Sequence, residues 1–170
     1  MTAPAGIRAM APVDARGVGA MHHQAWIDTY SAFLGEEYFT QRWTAADAVA
    51  LWRRVLTTAG EAGVVRLVAT AASEVVGFAV AGPSRAPAKG LPAATGRELW
   101  GLYVARAHLG TGLGQRLLDL AIAPGEPAEL WVFRGNARAR AFYARNGFRP
   151  DGSEFTDERF PELPEIRLVR

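Results

Sequence analysis

The sequence contains no cysteine, which excludes disulfide bonds, thiolate nucleophiles and cysteine-rich metal sites. No apolar run approaches the roughly 20 residues that are needed to span a membrane. The first ten residues, MTAPAGIRAM, also lack the long apolar segment of a signal peptide. These absences predict a cytoplasmic protein with no membrane partner.

The sequence also has little net charge of either sign. Nineteen basic residues against seventeen acidic residues give a formal charge of +2. This excess is too small to predict a nucleic-acid-binding surface, although it suits a ligand that carries phosphate. His22 and His23 are adjacent on a predicted helix and point in different directions, and no cysteine or suitably spaced histidine accompanies them. No metal site is therefore predicted.

The length and composition are those of one globular domain. The chain has 170 residues, of which 49% are hydrophobic and 21% charged. These values allow a sizeable core and argue against extensive disorder. No internal repeat is visible. A single domain that spans residues 1–170 is predicted.

The spacing of apolar residues predicts the element order β, α, α, β, β, β, α, β, α, β, β. Helices connect some strands through crossovers, whereas a hairpin joins the second and third strands, so the sheet should be mixed. The Pro-, Gly- and Ala-rich stretch 83–96 is expected to be an exposed loop. The predicted helices cover about 14–27, 45–58, 112–123 and 136–146, and the predicted strands 7–10, 64–70, 74–82, 98–104, 129–133, 148–152 and 165–170.

The sharpest local signal is a strand that runs into Gly110, Gly112 and Gly114, with a helix that begins among these glycines. Glycine lets the backbone approach a ligand closely, and a helix N-terminus offers unpaired N–H groups and a positive dipole end. Together they suit a pyrophosphate. A P-loop is excluded because Gln115 and Arg116 follow Gly114 where Lys and Ser or Thr would stand. The spacing G-x-G-x-G also departs from the Rossmann pattern G-x-G-x-x-G, and a nucleotide-dependent reductase is the weaker alternative.

This strand and turn resemble the cofactor motif of the GNAT superfamily of N-acetyltransferases. Residues 102–104, Leu-Tyr-Val, and residues 110–114 match a strand that often ends in Tyr-Val, followed by Arg/Gln-x-x-Gly-x-Gly/Ala. The first position of that motif falls on Leu109, so the usual Arg or Gln side chain is missing, and Arg106 or His108 is the candidate substitute. The cofactor-binding residues that the resemblance implies here are Leu102, Tyr103, Val104, Leu109, Gly110, Thr111, Gly112, Leu113, Gly114 and Gln115.

A second match covers residues 136–148 and has the form Asn-x-x-Ala-x-x-Phe-Tyr-x-x-x-Gly-Phe. The resemblance implies that Asn136, Ala139 and Phe142 bind the cofactor and that Gly147 ends the helix. Taken alone, Asn136 could be a plain helix cap and Tyr143 an ordinary core aromatic. The glycine turn thirty residues upstream favours the functional interpretation of both.

The resemblance implies that acetyl-CoA is the cofactor and that its acyl group passes to a primary amine of a small molecule or peptide. Tyr143 is the expected general acid, because a phenol with a pKa near 10 stays protonated at neutral pH. Glu98 is the expected general base, since desolvation beside Trp100 would raise its pKa, and an ordered water is the alternative. The backbone N–H groups of Leu102 and Val104 are the candidates for stabilising the oxyanion.

The fold that the resemblance implies is α/β (α+β), with a mixed, mostly antiparallel sheet of about six or seven strands and about four helices. One acetyltransferase domain would span residues 1–170, and homodimers are common among such proteins. The first two helices would shape the acceptor site, where Trp26, Asp28 and Tyr30 are the candidate contacts. A non-catalytic acyl-CoA-binding module is a further alternative, because Leu109 departs from the motif.

Overall fold

The computed structural model describes residues 5–58 and 60–170. Residues 1–4 lie outside the described residues. Two predictions concern them in part, the absence of a signal peptide and the start of the predicted domain. No helix in the described ranges is long and apolar enough to cross a membrane. The helices are α1 (Ala15–Leu34), α2 (Ala45–Thr57), α3 (Leu113–Ala121) and α4 (Ala137–Arg145), and the strands are β1 (Gly6–Ala9), β2 (Val65–Ala71), β3 (Glu74–Pro83), β4 (Arg97–Val104), β5 (Glu129–Phe133), β6 (Arg149–Phe155) and β7 (Glu165–Val169).

The seven strands that the structure describes form one sheet with the order β1-β2-β3-β4-β5-β7-β6. The pairs β1/β2, β5/β7 and β6/β7 are antiparallel, whereas β4 and β5 are parallel. The parallel strands β4 and β5 are connected through the helix α3, as a crossover requires. These observations confirm the predicted mixed and mostly antiparallel sheet.

The predicted end of the first helix near residue 27 is wrong, because α1 continues to Leu34. The intervening residues include neither glycine nor proline, so nothing in the local sequence stops the helix. Gly35 ends it with a positive φ of 73°, and its N–H donates to the carbonyl of Ser31. The predicted loop 83–96 also contains a short 3₁₀ turn, Ala86–Lys89.

The chain divides into two compact units, of which the first comprises Met1–Val80 and Gly101–Ala121. Its buried side chains include Val18 from α1, Trp52 from α2 and Phe78 from β3. A Cβ atom at Gly19 would lie 2.6 Å from the Cα of Val49, so α1 and α2 can approach this closely only with glycine there. The capping box of Thr44 and Asp47 begins α2, as predicted for Thr44.

The second unit comprises Ala81–Trp100 and Ile122–Arg170. Leu99, Leu130 and Phe148 are among its buried apolar side chains. It also buries charge, since Glu129 is 0% exposed and Arg167 is 5% exposed. The prediction of one acetyltransferase domain over residues 1–170 stays a prediction.

Candidate active site

The glycine turn lies in the first unit, between β4 and α3. Gly110 and Gly112 are exposed and have φ values of 75° and 83°, a left-handed conformation that favours glycine. The helix begins at Leu113, so the N–H groups of Leu113 and Gly114 have no acceptor within it. The sequence thus folds into an exposed turn that can present backbone N–H groups and a positive helix end to an anion.

The polar side chains of Thr111 and Gln115 already have hydrogen-bond partners in the turn and in α3. The Thr111 hydroxyl donates to the carbonyl of His108 at 2.7 Å, and the Gln115 amide donates to Asp119 at 2.8 Å. Leu109, where the motif has Arg or Gln, is an exposed residue with extended backbone. A ligand at this turn would therefore meet mainly backbone groups.

Tyr103 of β4 lies in an aromatic cluster of the first unit. The Trp26 Nε1–H group donates to its hydroxyl oxygen at 3.1 Å, and the His22 ring lies 4.9 Å from its ring. The Trp52 Nε1–H group donates to Nδ1 of His22 at 3.1 Å, so Nε2 carries the proton of the neutral imidazole. Burial and the nearby His23 lower the pKa of His22 to about 4, which keeps it neutral at physiological pH.

The structure brings two of the three predicted acceptor residues together. The rings of Trp26 and Tyr30 pack edge to face, with their centroids 5.0 Å apart. Asp28 is exposed and accepts a hydrogen bond from Gln24, one helical turn earlier. Trp26 and Tyr30 therefore belong to the aromatic cluster around His22, whereas the contact of Asp28 lies along the exposed side of α1.

In the second unit, Asn136 caps α4. Its side-chain oxygen accepts a hydrogen bond from the Ala139 N–H at 3.0 Å, the bond expected of an N-cap residue. Phe142 is partly exposed and its ring lies 5.3 Å from that of Tyr143. Tyr143 is 7% exposed, and its ring also packs against Phe148. The tyrosine therefore sits among aromatic rings in a largely dry environment.

The C-terminal end of α4 is capped at Gly147, as the sequence predicts. Gly147 has a φ of 85°, its N–H donates to the carbonyl of Ala144, and the Phe148 N–H donates to the carbonyl of Tyr143. This pair of bonds is a Schellman motif, in which glycine takes the left-handed position. The motif folds the chain back so that Phe148 meets the ring of Tyr143.

Glu98, the second residue of β4, is a buried carboxylate that is 1% exposed. One carboxylate oxygen accepts the Arg85 backbone N–H at 2.5 Å, and the other accepts from the Arg85 guanidinium at 3.3–3.4 Å. Desolvation raises the pKa of Glu98, the hydrogen bonds and charge of Arg85 oppose this, and the nearby Glu129 adds to the rise. The Arg85 guanidinium also stacks on Trp100, 4.5 Å from the ring centroid.

Sequence reasoning missed a second buried carboxylate, Glu129, which is the register partner of Glu98 on the neighbouring parallel strand. The Ser84 hydroxyl and the N–H groups of Ala94 and Thr95 all donate to it. The signal was available, because the tripeptide Glu-Leu-Trp occurs twice, at 98–100 and at 129–131. Each copy begins an apolar strand with an acidic residue, which predicts a buried carboxylate with a specific partner.

Arg167 of β7 completes this network. Its guanidinium donates to Asp151, to Ser153 and to the carbonyl of Pro92, and one of its nitrogens lies 3.8 Å from Glu129. The loop between β3 and β4 is largely exposed, as predicted, but it is also tied to these buried charges. In the described part of the chain, His, Asp and Glu side chains form no group of three or more that could hold a metal ion.

Known proteins share this fold along nearly the whole chain. An N-acetyltransferase named PaiA from Thermoplasma acidophilum, solved with coenzyme A, has a TM-score of 0.66 at 20% identity, with 97% of this chain and 98% of that chain covered. A ribosomal-protein-alanine N-acetyltransferase from Brucella melitensis has a TM-score of 0.70 at 23% identity, with the same coverage. At these identities the likeness shows the fold alone.

Sequence comparison gives the family. A Mycobacterium tuberculosis protein named as a probable N-acetyltransferase is 28% identical over 154 residues, which are 88% of this chain and 83% of that protein. The profile of the Acetyltransferase (GNAT) family matches residues 20–148, well over half of the chain. The match confirms the predicted fold class and the predicted acetyl-CoA cofactor, and the chain belongs to the Acetyltransferase (GNAT) family.

Proposed function

We propose that this acetyltransferase transfers the acetyl group of acetyl-CoA to a primary amine of a small molecule or peptide, by direct attack in a ternary complex. The observation that carries the proposal is the exposed turn in which Gly110 and Gly112 have positive φ and α3 follows at once. Such a turn suits the diphosphate of coenzyme A, because backbone N–H groups and a helix N-terminus attract negative charge.

The predicted cofactor residues would contact different parts of acetyl-CoA. The backbone of residues 109–115 would hold the diphosphate, since the Thr111 and Gln115 side chains are already bonded nearby. Leu102, Tyr103 and Val104 are partly exposed on β4, where strand N–H groups could bond to the thioester arm and its oxyanion. Asn136, Ala139 and Phe142 would contact the pantetheine arm, Asn136 with the part of its amide that does not cap the helix.

The chemical step needs a proton donor for the departing thiolate. The amine attacks the thioester carbonyl, the carbon–nitrogen bond forms, the carbon–sulfur bond breaks, and the sulfur takes a proton. Tyr143 is proposed as the donor, because a phenol O–H group can donate a proton and the low exposure of this side chain limits competition from water. The aromatic contacts with Phe142 and Phe148 hold its ring in place.

The amine must also lose a proton, and two acceptors are proposed. Glu98 has a raised pKa, which suits a general base, but both of its oxygens are bonded to Arg85 and would have to exchange these bonds for the proton. An ordered water is the alternative. The pH dependence of kcat/KM for Glu98→Gln distinguishes them, because an unchanged acidic limb would remove Glu98 from this role.

The acceptor is proposed to approach the aromatic cluster around His22, in which Trp26 and Tyr30 pack together. Aromatic faces attract ammonium groups and also bind apolar chains. The names of the relatives point to amine acceptors, and that of the Brucella protein specifies an alanine of a ribosomal protein. A panel of small amines and short peptides, read by release of free thiol, identifies the class.

Tyr143→Phe tests the central assignment. We expect kcat to fall about 10²- to 10⁴-fold, the usual contribution of a positioned acid, with the affinity for acetyl-CoA unchanged because the ring remains. Thiol release gives the rate and calorimetry gives the affinity. A variant that keeps the wild-type kcat would refute the role of Tyr143. Wild-type protein that binds acetyl-CoA but turns over no amine would instead favour an acyl-CoA-binding module.

A further inference from the structure

Lys89 is the only lysine in the sequence, and three side chains of the second unit hold its ammonium group. Its Nζ lies 2.9 Å from a carboxylate oxygen of Glu165, 3.9 Å from the ring centroid of Phe155 and 5.0 Å from that of Trp131. The partners come from β7, β6 and β5. Both the ion pair and the cation–π contacts depend on the positive charge of the amine.

These contacts fasten the outer part of the loop between β3 and β4. The inner part is held by buried groups, because Glu129 accepts from Ala94 and Thr95 and Arg167 donates to Pro92. The outer part is the 3₁₀ turn Ala86–Lys89, in which Pro87 and Ala88 are exposed, and the Gly90 that follows is exposed as well. Loss of the charge on Lys89 would therefore loosen residues 86–91 while the inner anchors stay in place.

We propose that Lys89 is an acylation site that works as a charge-dependent latch, so that acetylation of Nζ releases residues 86–91 from β5, β6 and β7. The inference rests on the proposed function for its donor, acetyl-CoA. The deprotonated amine attacks the thioester carbonyl, an amide bond forms and the carbon–sulfur bond breaks. The ammonium first loses one proton to solvent. The nitrogen loses a second proton as the amide forms, and the departing thiolate takes that proton up.

The amine of Lys89 is accessible to a donor, and its acetylation would remove the contacts that hold it. The Lys89 side chain is 21% exposed and that of Glu165 33% exposed, so a donor can reach the amine when the ion pair opens. The product is a neutral amide, which offers nothing to the Glu165 carboxylate and no cation to the rings. The released segment adjoins Arg85, which holds the proposed base Glu98, so the latch would act on acetyl transfer.

Hydrogen exchange of residues 86–91 tests the latch. Lys89→Gln, which imitates the acetylated side chain, should exchange about tenfold faster there than wild type, given the usual strength of one ion pair with cation–π contacts. Lys89→Arg keeps the charge and should exchange like wild type. Arg159→Gln is the matched control, because Arg159 also pairs with a carboxylate and lies over a ring, but outside this loop. Equal exchange in Lys89→Gln and wild type would overturn the proposal.

Incubation of the wild-type protein with acetyl phosphate or with acetyl-CoA tests the modification, read by mass spectrometry of the peptide that contains Lys89. Glu165→Gln should be acetylated several-fold faster, because the ion pair that holds Nζ of Lys89 is removed and the amine is freer to reach the donor. Acetyl phosphate needs no coenzyme A site, so a product with this donor alone supports the latch and counts against the proposed cofactor role. If neither donor acetylates Lys89 while a free lysine peptide reacts, the latch is wrong.

Discussion

The ionisable side chains of this protein differ most from their ordinary behaviour where aromatic rings or strands bury them. His22 is the clearest case, since five aromatic residues surround it and Trp52 donates to its Nδ1. Its folded pKa of about 4 lies below the ordinary value of 6.5. The unfolded chain therefore takes up a proton at this position more readily than the folded one.

This difference predicts how His22 couples stability to pH. The stability that its neutral form contributes is fully present above pH 6.5 and is lost as the pH falls towards 4, by about 3 kcal/mol. His22→Asn keeps an acceptor for Trp52 and cannot titrate. Urea unfolding of both proteins from pH 4 to 8 should show a difference in unfolding free energy that changes with pH. A difference that stays constant across this range would contradict the prediction.

The roles of single residues were only partly predictable from the sequence. The cap by Asn136 and the C-terminal position of Gly147 follow from local chemistry and were predicted. The partners of Glu98 were not, because Arg85 is thirteen residues away along a loop and no local pattern joins them. The burial of His22 was also missed, since it depends on Trp43, Phe78 and Tyr103 from distant parts of the chain.

At the scale of elements, the turn between β4 and α3 makes a sharp prediction. Gly112→Ala would place a Cβ in open space, since no atom lies within 4 Å, so its cost comes from the positive φ of 83°. A left-handed alanine costs roughly 1–2 kcal/mol, and a turn that relaxes to avoid it would misplace its N–H groups. We expect the Kd for coenzyme A to rise about tenfold in calorimetry.

Gly6→Ala is the matched control for this experiment. A Cβ at Gly6 also meets nothing within 4 Å, and its φ is not positive. Its Kd for coenzyme A should equal that of the wild type. If Gly112→Ala also binds coenzyme A as tightly as wild type, the turn does not form the diphosphate site.

Elements with strong periodicity were predictable, and their ends were less so. The strands 98–104 and 129–133 match β4 and β5 closely, because short runs of apolar and β-branched residues end at turn residues. The predicted first helix ends near residue 27, whereas α1 extends seven residues further to Leu34. The helix continues through Tyr30 and Phe33, because no residue before Gly35 favours a helix end.

For the whole molecule, the summed titrations predict sensitivity to acid. Contacts with Arg8 and Arg159 lower the pKa values of Asp14 and Asp157, the latter to about 2. At Asp151 desolvation raises the pKa, but the hydrogen bonds from Arg167 and Ser153 lower it by more, so it too is below its ordinary value. Stability from such groups is present above the ordinary carboxyl pKa and is lost as the pH falls through the lowered one. Glu98 acts in the opposite sense. Because its pKa is raised in the folded protein, its contribution to the free energy of unfolding falls as the pH rises.

Asp47 also has a lowered pKa, so four aspartates and His22 act in one sense and Glu98 in the other. We therefore expect the free energy of unfolding to fall between pH 7 and pH 3, with His22 as the main contributor. Urea midpoints at pH 7, 5 and 3, with a constant slope as the control, measure this. A midpoint that is the same at pH 3 and pH 7 would show that these groups keep their partners in the unfolded chain.

The number of strands and the mixed character of the sheet were predictable because each strand is signalled locally and the connections restrict pairing. The final order of β7 and β6 was not, since pairing between strands far apart in sequence depends on register and packing. The buried network of Glu129 and Arg167 belongs to the same class of unpredicted features. It joins residues from four separate segments of the chain.

The close approach of α1 to α2 restricts how the acceptor preference of this protein can be redesigned. A library aimed at the proposed acceptor contacts would vary Trp26, Asp28 and Tyr30, of which only Asp28 lies on the exposed side of α1. It must leave position 19 as glycine, because any side chain there would collide with the Val49 backbone and force the helices apart. Members of the library with another residue at position 19 should be depleted under selection for folding, whatever they carry at the three proposed acceptor positions.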